Sequence, residues 1–201
     1  MAYMDGALKM TTNMGAAGKA LGRWFSGEDL FLNHYEGTGP AQLLVLSMPY
    51  PGDIVKLDLA PGESWKTSRG ALIAATPDTV DVSGSFNARG LLDFGQGEGA
   101  VLTKVTAPPN AAATLWLASY GHIQRHVVPT GRSLLVDNES FLACPLDVGY
   151  TVDKVGGFKS LIFGGEGLVM RFQGPCILYT QSKGLQGLAS ALSQFLPAWG
   201  K

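Results

Sequence analysis

A degenerate threefold repeat constrains this chain more than any other feature of its sequence. Phe25-Ser26-Gly27-Glu28-Asp29-Leu30-Phe31-Leu32 matches Phe163-Gly164-Gly165-Glu166-Gly167-Leu168-Val169-Met170 in phase. A looser copy with one extra residue begins at Phe94-Gly95-Gln96-Gly97-Glu98. The glutamates Glu28, Glu98 and Glu166 are spaced 70 and 68 residues apart. Each copy then passes a turn and an apolar run: Gly37-Thr38-Gly39-Pro40 before 42–46, Pro108-Pro109-Asn110 before Leu115-Trp116-Leu117, Gly174-Pro175 before Cys176–Tyr179. A second block also recurs. From Gly52-Asp53-Ile54 the offsets to Gly62, Ser64, Leu72 and Asp78 are 10, 12, 20 and 26, and from Gly121-His122-Ile123 the same offsets reach Gly131, Ser133, Phe141 and Asp147. Self-similarity at a fixed period marks one supersecondary unit that needs its neighbours to bury a face.

The unit itself reads as strands. Val55, Leu57 and Leu59 alternate with Lys56 and Asp58, the period-two pattern of a half-buried strand. Pro-Gly steps supply the turns. Each copy therefore reads as strand, turn, strand in a short β-meander, and a meander alone is marginal. Three copies around a pseudo-threefold axis bury those faces together. The expected fold is an all-β, sandwich- or barrel-like single domain, with repeats at about 1–60, about 61–128 and about 129–183. Met14, Ala17, Leu21 and Trp24 fall at helical spacing and predict a short N-terminal helix inserted in a loop. Leu185, Leu188, Leu192, Phe195 and Leu196 form one apolar stripe ended by Pro197, which predicts an amphipathic C-terminal helix over about 184–197.

Composition agrees and excludes several classes. The chain has 201 residues, 27 of them glycine, which suits many turns and bulges. Charged residues are only 15%, which argues against disorder and for a surface covered by another subunit. Net charge is −1 with no basic run, so nucleic acid is not an expected partner. Cys144 and Cys176 sit in apolar contexts and read as small buried hydrophobes. The N-terminus lacks the marks of a secretory or transit peptide, which discounts the Asn138-Glu139-Ser140 sequon. No apolar run reaches the roughly 18 residues of a membrane helix.

The segments MDGALKM, GKALGRWFSGEDLFLNHYEGTG, PYPGDIVKLDL with PGESW, and GGEGLVMRFQGPCILYTQS resemble the altered inheritance of mitochondria protein 24 family over roughly residues 1 to 183. The resemblance implies a β-rich fold likened to the tryptophan RNA-binding attenuation protein, without implying tryptophan or RNA binding. It implies no enzymatic activity and no cofactor. For eukaryotic members it implies mitochondrial inner-membrane organisation; a prokaryotic member is expected in the cytoplasm. It also implies a strand ahead of Met1–Gly6 that should look like Ser64-Trp65-Lys66 or Ser133-Leu134-Leu135, so the chain as given is either shortened or has an edge that a partner covers.

Candidate ligand residues are Glu28, Glu98, Glu166, His122 and His126. The glutamates can form a carboxylate ring for a cation, or sit in hairpin turns and accept backbone N–H groups; the structural role is favoured. His122, Gln124 and His126 share one face of a strand, but zinc needs a third ligand and no such pattern exists. By the repeat, His126 falls on Leu57 and should be half-buried. The other histidine is His34. No serine sits in a nucleophile elbow, so no catalytic residue is assigned. The leading expectation is a non-enzymatic scaffold or assembly protein, a homo-oligomer or part of a protein complex; for its C-terminal helix, packing on its own domain or a neighbouring subunit is favoured over peripheral membrane association. The competing expectation is a small-ligand module with its pocket between repeats or subunits.

Overall fold

The computed structural model describes residues 1–13, 32–48, 50–86, 101–154 and 168–195. The N-terminal helix predicted at Met14–Trp24 lies outside them. By contacts the chain divides into two compact units, Met1–Tyr50 with Ile54–Ala118, and Pro51–Asp53 with Ser119–Lys201.

Six strands follow one another in the second part of the first unit: β5 (Ile54–Leu59), β6 (Ser64–Ser68), β7 (Leu72–Thr76), β8 (Asp81–Phe86), β9 (Val101–Thr106) and β10 (Ala113–Ala118). The second unit repeats the series: β11 (Ile123–Val128), β12 (Ser133–Asp137), β13 (Phe141–Pro145), β14 (Tyr150–Lys154), β15 (Leu168–Gln173) and β16 (Cys176–Gln181). The first three strands of each series begin and end 69 residues apart. Gly62 and Gly131, also 69 apart, hold φ of +75° and +77° in the turns after β5 and β11. L-residues rarely adopt that conformation, which is why both turns keep glycine.

The wiring is the same in both series. β10 lies between β5 and β7, and β16 between β11 and β13. β9 lies between β6 and β8, and β15 between β12 and β14. All of these pairs are antiparallel. The meander expected from the sequence is therefore replaced by nested pairing. β5 meets β10, not β6, because the Ala60–Glu63 turn carries the chain from one three-stranded group to the other. That turn is closed by Ala60 N–H donating to Glu63 Oε2 at 2.8 Å and Glu63 N–H donating to Ala60 O at 3.0 Å.

An abbreviated copy precedes them: β1 (Tyr3–Met4) pairs with β4 (Leu44–Val45), and β2 (Lys9–Asn13) pairs with β3 (Leu32–Glu36). β1, β3 and β4 begin 69 residues before β7, β9 and β10. The copy thus holds counterparts of the last four strands of a series.

Alternation sets the core. On β5, Leu57 and Leu59 are buried, Val55 is half-buried, and Ile54, Lys56 and Asp58 are exposed, as the sequence predicts. The first unit buries Trp65, Leu102, Val105, Leu115 and Leu117. In the second, Phe141 from β13 stacks on Phe172 from β15 with ring centroids 5.6 Å apart. That contact joins the two three-stranded groups of the series face to face. Cys144 is buried and Cys176 half-buried, both as free thiols, and burial pushes the Cys176 thiol up. The C-terminal helix is α1 (Leu185–Ser193). Its Leu192 is exposed, as is Phe195 just beyond it. Among the described residues no helix is long and apolar enough to cross a membrane.

Candidate functional site

The repeat brings equivalent residues together at its linkers. Pro51-Gly52-Asp53 leads into β5, and Ser119-Tyr120-Gly121-His122 leads from β10 into β11. Gly52 and Gly121 form an isolated parallel bridge, with Asp53 N–H donating to Gly121 O at 2.9 Å and Gly121 N–H to Pro51 O at 3.0 Å. Gly121 has φ +82°, and a Cβ there would meet Ser182 Oγ at 2.5 Å.

Two serines close the strand ends in the same way. Ser119 N–H donates to Asp53 O at 3.0 Å, and Asp53 N–H also approaches Ser119 Oγ at 3.3 Å. Ser182 N–H donates to His122 O at 3.0 Å, and His122 N–H donates to Ser182 Oγ at 2.9 Å. Ser119 and Ser182 are thus the same device used twice. The third linker, Ser182-Lys183-Gly184, repeats the Ser-x-Gly pattern but leads into α1. Lys183 Nζ stands 5.6 Å from the Tyr120 ring centroid, a cation–π contact across two equivalent linker positions.

On this frame sits the candidate site, a carboxylate–imidazole pair. Asp53 Oδ2 lies 2.6 Å from His122 Nδ1 and accepts from Ile123 N–H at 3.0 Å. The side chains are 49% and 75% exposed, so the pair faces solvent. The Ile123 N–H, and then the His122 ring, hold the Asp53 carboxyl below the usual carboxylate range. Asp58 is also held low, first by the Thr114 hydroxyl and then by Lys56.

The arrangement orients a ring and ties linkers together. The Ser182 hydroxyl accepts from His122 N–H at 2.9 Å, so it serves to close the linker. Among the described residues no group of three His, Cys, Asp or Glu side chains could hold a metal.

The residues expected from sequence are dispersed. Glu28, Glu98 and Glu166 lie outside the described residues. His122 precedes β11 instead of lying in it, and pairs with Asp53. His126 lies on β11, half-buried, with Nε2 2.9 Å from Thr180 Oγ1. His34 lies on β3 opposite Thr11. Sequence reasoning missed Asp53, Ser119 and Ser182. Its signal for Asp53 was present, since Gly52-Asp53-Ile54 and Gly121-His122-Ile123 align residue by residue.

Asp53→Asn tests the pair. A carboxyl held low in the folded state adds stability above its unfolded pKa of about 4. That stability is lost as pH falls through the lower folded value. The gap between the parent chain and Asp53→Asn in urea titrations should therefore be open at neutral pH and close under acid. A gap independent of pH would show that the charge is idle.

The family described as mitochondrial biogenesis AIM24 matches residues 1–183. A curated relative, the uncharacterized protein M6_Spy0233 of Streptococcus pyogenes, is 27% identical over 209 residues, covering 98% of this chain and 79% of that protein. A crystal structure of protein SPYM3_0169 from Streptococcus pyogenes superposes with a TM-score of 0.70 at 24% identity, covering 98% of this chain and 86% of that one. That likeness shows the all-β fold.

Proposed function

Since the chain belongs to the mitochondrial biogenesis AIM24 family, we propose that it is a non-enzymatic scaffold that works by self-association and partner contacts. The observation that carries this reading is the set of apolar side chains left on the surface: Phe195 is 84% exposed, Val127 61%, Tyr3 59% and Leu43 56%. Exposed apolar groups mark interaction sites where they neighbour one another, as Tyr3 on β1 and Leu43 beside β4 do on paired backbone. The family's description supports a mitochondrial role for a eukaryotic member, where inner-membrane organisation is the task proposed, and the likeness to a Streptococcus protein supports reading a prokaryotic member as cytoplasmic.

Size-exclusion chromatography with light scattering tests it. A concentration-dependent rise in mass is expected, and a clean monomer throughout sinks the reading. Phe195→Glu should lower the assembled mass while leaving the melting temperature nearly unchanged, because a surface substitution usually costs within about 0.5 kcal/mol.

The second reading is a small-ligand module. Its support is the His122 ring, fixed by Asp53 yet open to solvent. A ligand-dependent rise in melting temperature that His122→Ala removes would favour it.

A further inference from the structure

Two strands at equivalent places in the repeat carry an unpaired side. Among the described residues β5 pairs with β10 alone and β11 with β16 alone, each at the end of its sheet. The linker bonds fix which residues face outward. Ser119 N–H donates to Asp53 O, and Ser182 N–H to His122 O. Bonding pairs alternate along an antiparallel ladder, so Val55, Leu57 and Leu59 bond to β10, and Gln124, His126 and Val128 bond to β16. The main-chain groups of Ile54, Lys56 and Asp58, and of Ile123, Arg125 and Val127, therefore point away from their sheets. Ile123 agrees with this phase, because its N–H donates to Asp53 Oδ2 at 3.0 Å.

The two edges carry different side chains. On β5, Lys56 Nζ donates to Asp58 at 3.1 Å, and charges of this kind keep most strands off an edge. On β11 the same two positions are Arg125 and Val127. Arg125 is exposed and has no hydrogen bond or ion pair among the described residues. Val127 is 61% exposed.

We infer that β11 of one copy pairs antiparallel with β5 of a second copy. With His126 set against Leu57 of the second copy, Arg125 faces Asp58 and Val127 faces Lys56. The guanidinium gains a carboxylate, and the lysine stem covers the valine methyls. The register is bounded at both ends. One step further Ile123 would face Ala60, and both N–H groups are already taken, by Asp53 Oδ2 and Glu63 Oε2. At the other end Ile54 faces Pro129, which has no N–H. Self-pairing of β11 would set Arg125 against Val127 and leave the guanidinium without a carboxylate. Self-pairing of β5 would join charges that already neutralise each other within the strand. Since the two edges are different surfaces, the contact is head-to-tail and extends beyond a dimer, into a ring or a filament. The inference rests on the assembly reading and names the surfaces that assembly would use.

The test mixes and oxidises two chains purified separately, Asp58→Cys and Arg125→Cys. Facing residues of a bonded pair have Cα atoms about 5.5 Å apart, within disulfide reach. A covalent dimer holding one chain of each kind is expected from the mixture and from neither variant alone. Light scattering then reads the charges. Arg125→Glu and Asp58→Lys should each weaken association about tenfold, and both substitutions in one chain should restore it. If a substituted chain fails to fold, amide exchange on the parent chain decides. Lys56, Asp58, Arg125 and Val127 should be protected at high concentration and lose that protection on dilution. No mixed dimer, equal cross-linking of Arg125→Cys alone, no rescue by the double exchange, or protection that dilution leaves unchanged would each overturn the inference. A clean monomer at every concentration refutes the assembly reading and this pairing with it. An oligomer that Arg125→Glu leaves intact refutes only the pairing of these edges.

Discussion

Phe141→Ala should cost about 3–5 kcal/mol of stability, the range for truncating a buried aromatic ring. Phe141 is 1% exposed and Phe172 0%. Their rings stack with an interplanar angle of 14°, and Tyr150 tilts against Phe172 at 5.7 Å. The three residues come from β13, β15 and β14, so the cavity would open where the two groups of strands in the second unit face each other. The repeat offers a milder substitution. Leu72 stands where Phe141 would be in the preceding series, so Phe141→Leu keeps a side chain the architecture already accepts and should cost about 1–2 kcal/mol. A double-mutant cycle with Phe172→Ala should return a coupling of about 0.5–1.5 kcal/mol. Chemical denaturation reads all of these. A loss below about 1 kcal/mol for Phe141→Ala would mean that the stack is incidental to holding the two groups together.

How far the sequence foretold this fold depends on the range of the contact involved. Local signals were legible. The alternation Val55-Lys56-Leu57-Asp58-Leu59 marks a strand with its buried face correctly chosen, because side chains in a strand alternate whatever lies beside it. The apolar stripe from Leu185 marks α1 for the same reason. The equal spacing of Gly52 and Gly121, Gly62 and Gly131, Ser64 and Ser133 maps onto linkers, turns and strand starts that coincide residue for residue. Pairing was not legible. A turn such as Ala60–Glu63 looks alike whether it returns a chain along its own sheet or carries it to the facing one, so a meander and a nested arrangement read the same. The Asp53–His122 pair was hidden for a related reason. Its partners are 69 positions apart, and only the meeting of two linkers brings them within 2.6 Å. Alignment of the copies sets these residues at the same position but cannot show that equivalent positions touch.

That meeting of linkers should make Gly52→Ala costly even though Gly52 lies on an exposed loop. A Cβ on Gly52 would run into the carbonyl of Ser119 and approach Gly121 N at 2.9 Å. Both obstacles are backbone, so no side chain can swing aside. The linkers would have to part, and with them the bonds from Asp53 N–H to Gly121 O and from Gly121 N–H to Pro51 O. Pro51, Gly52 and Asp53 are exposed, so water takes up part of the loss; each bond contributes about 0.5–1.5 kcal/mol, and a total of about 1–3 kcal/mol is expected. Gly62→Ala is the control. Gly62 has φ +75° but open space where the Cβ would go, so it should lose only the backbone preference, about 1–2 kcal/mol. The two variants separate crowding from conformation. Urea denaturation gives the two losses, and amide exchange at Asp53 and Gly121 should accelerate in Gly52→Ala alone. Equal losses with unchanged exchange would mean that the linkers only lie side by side, and the Asp53–His122 pair would then be a surface contact instead of the outer face of a structural joint.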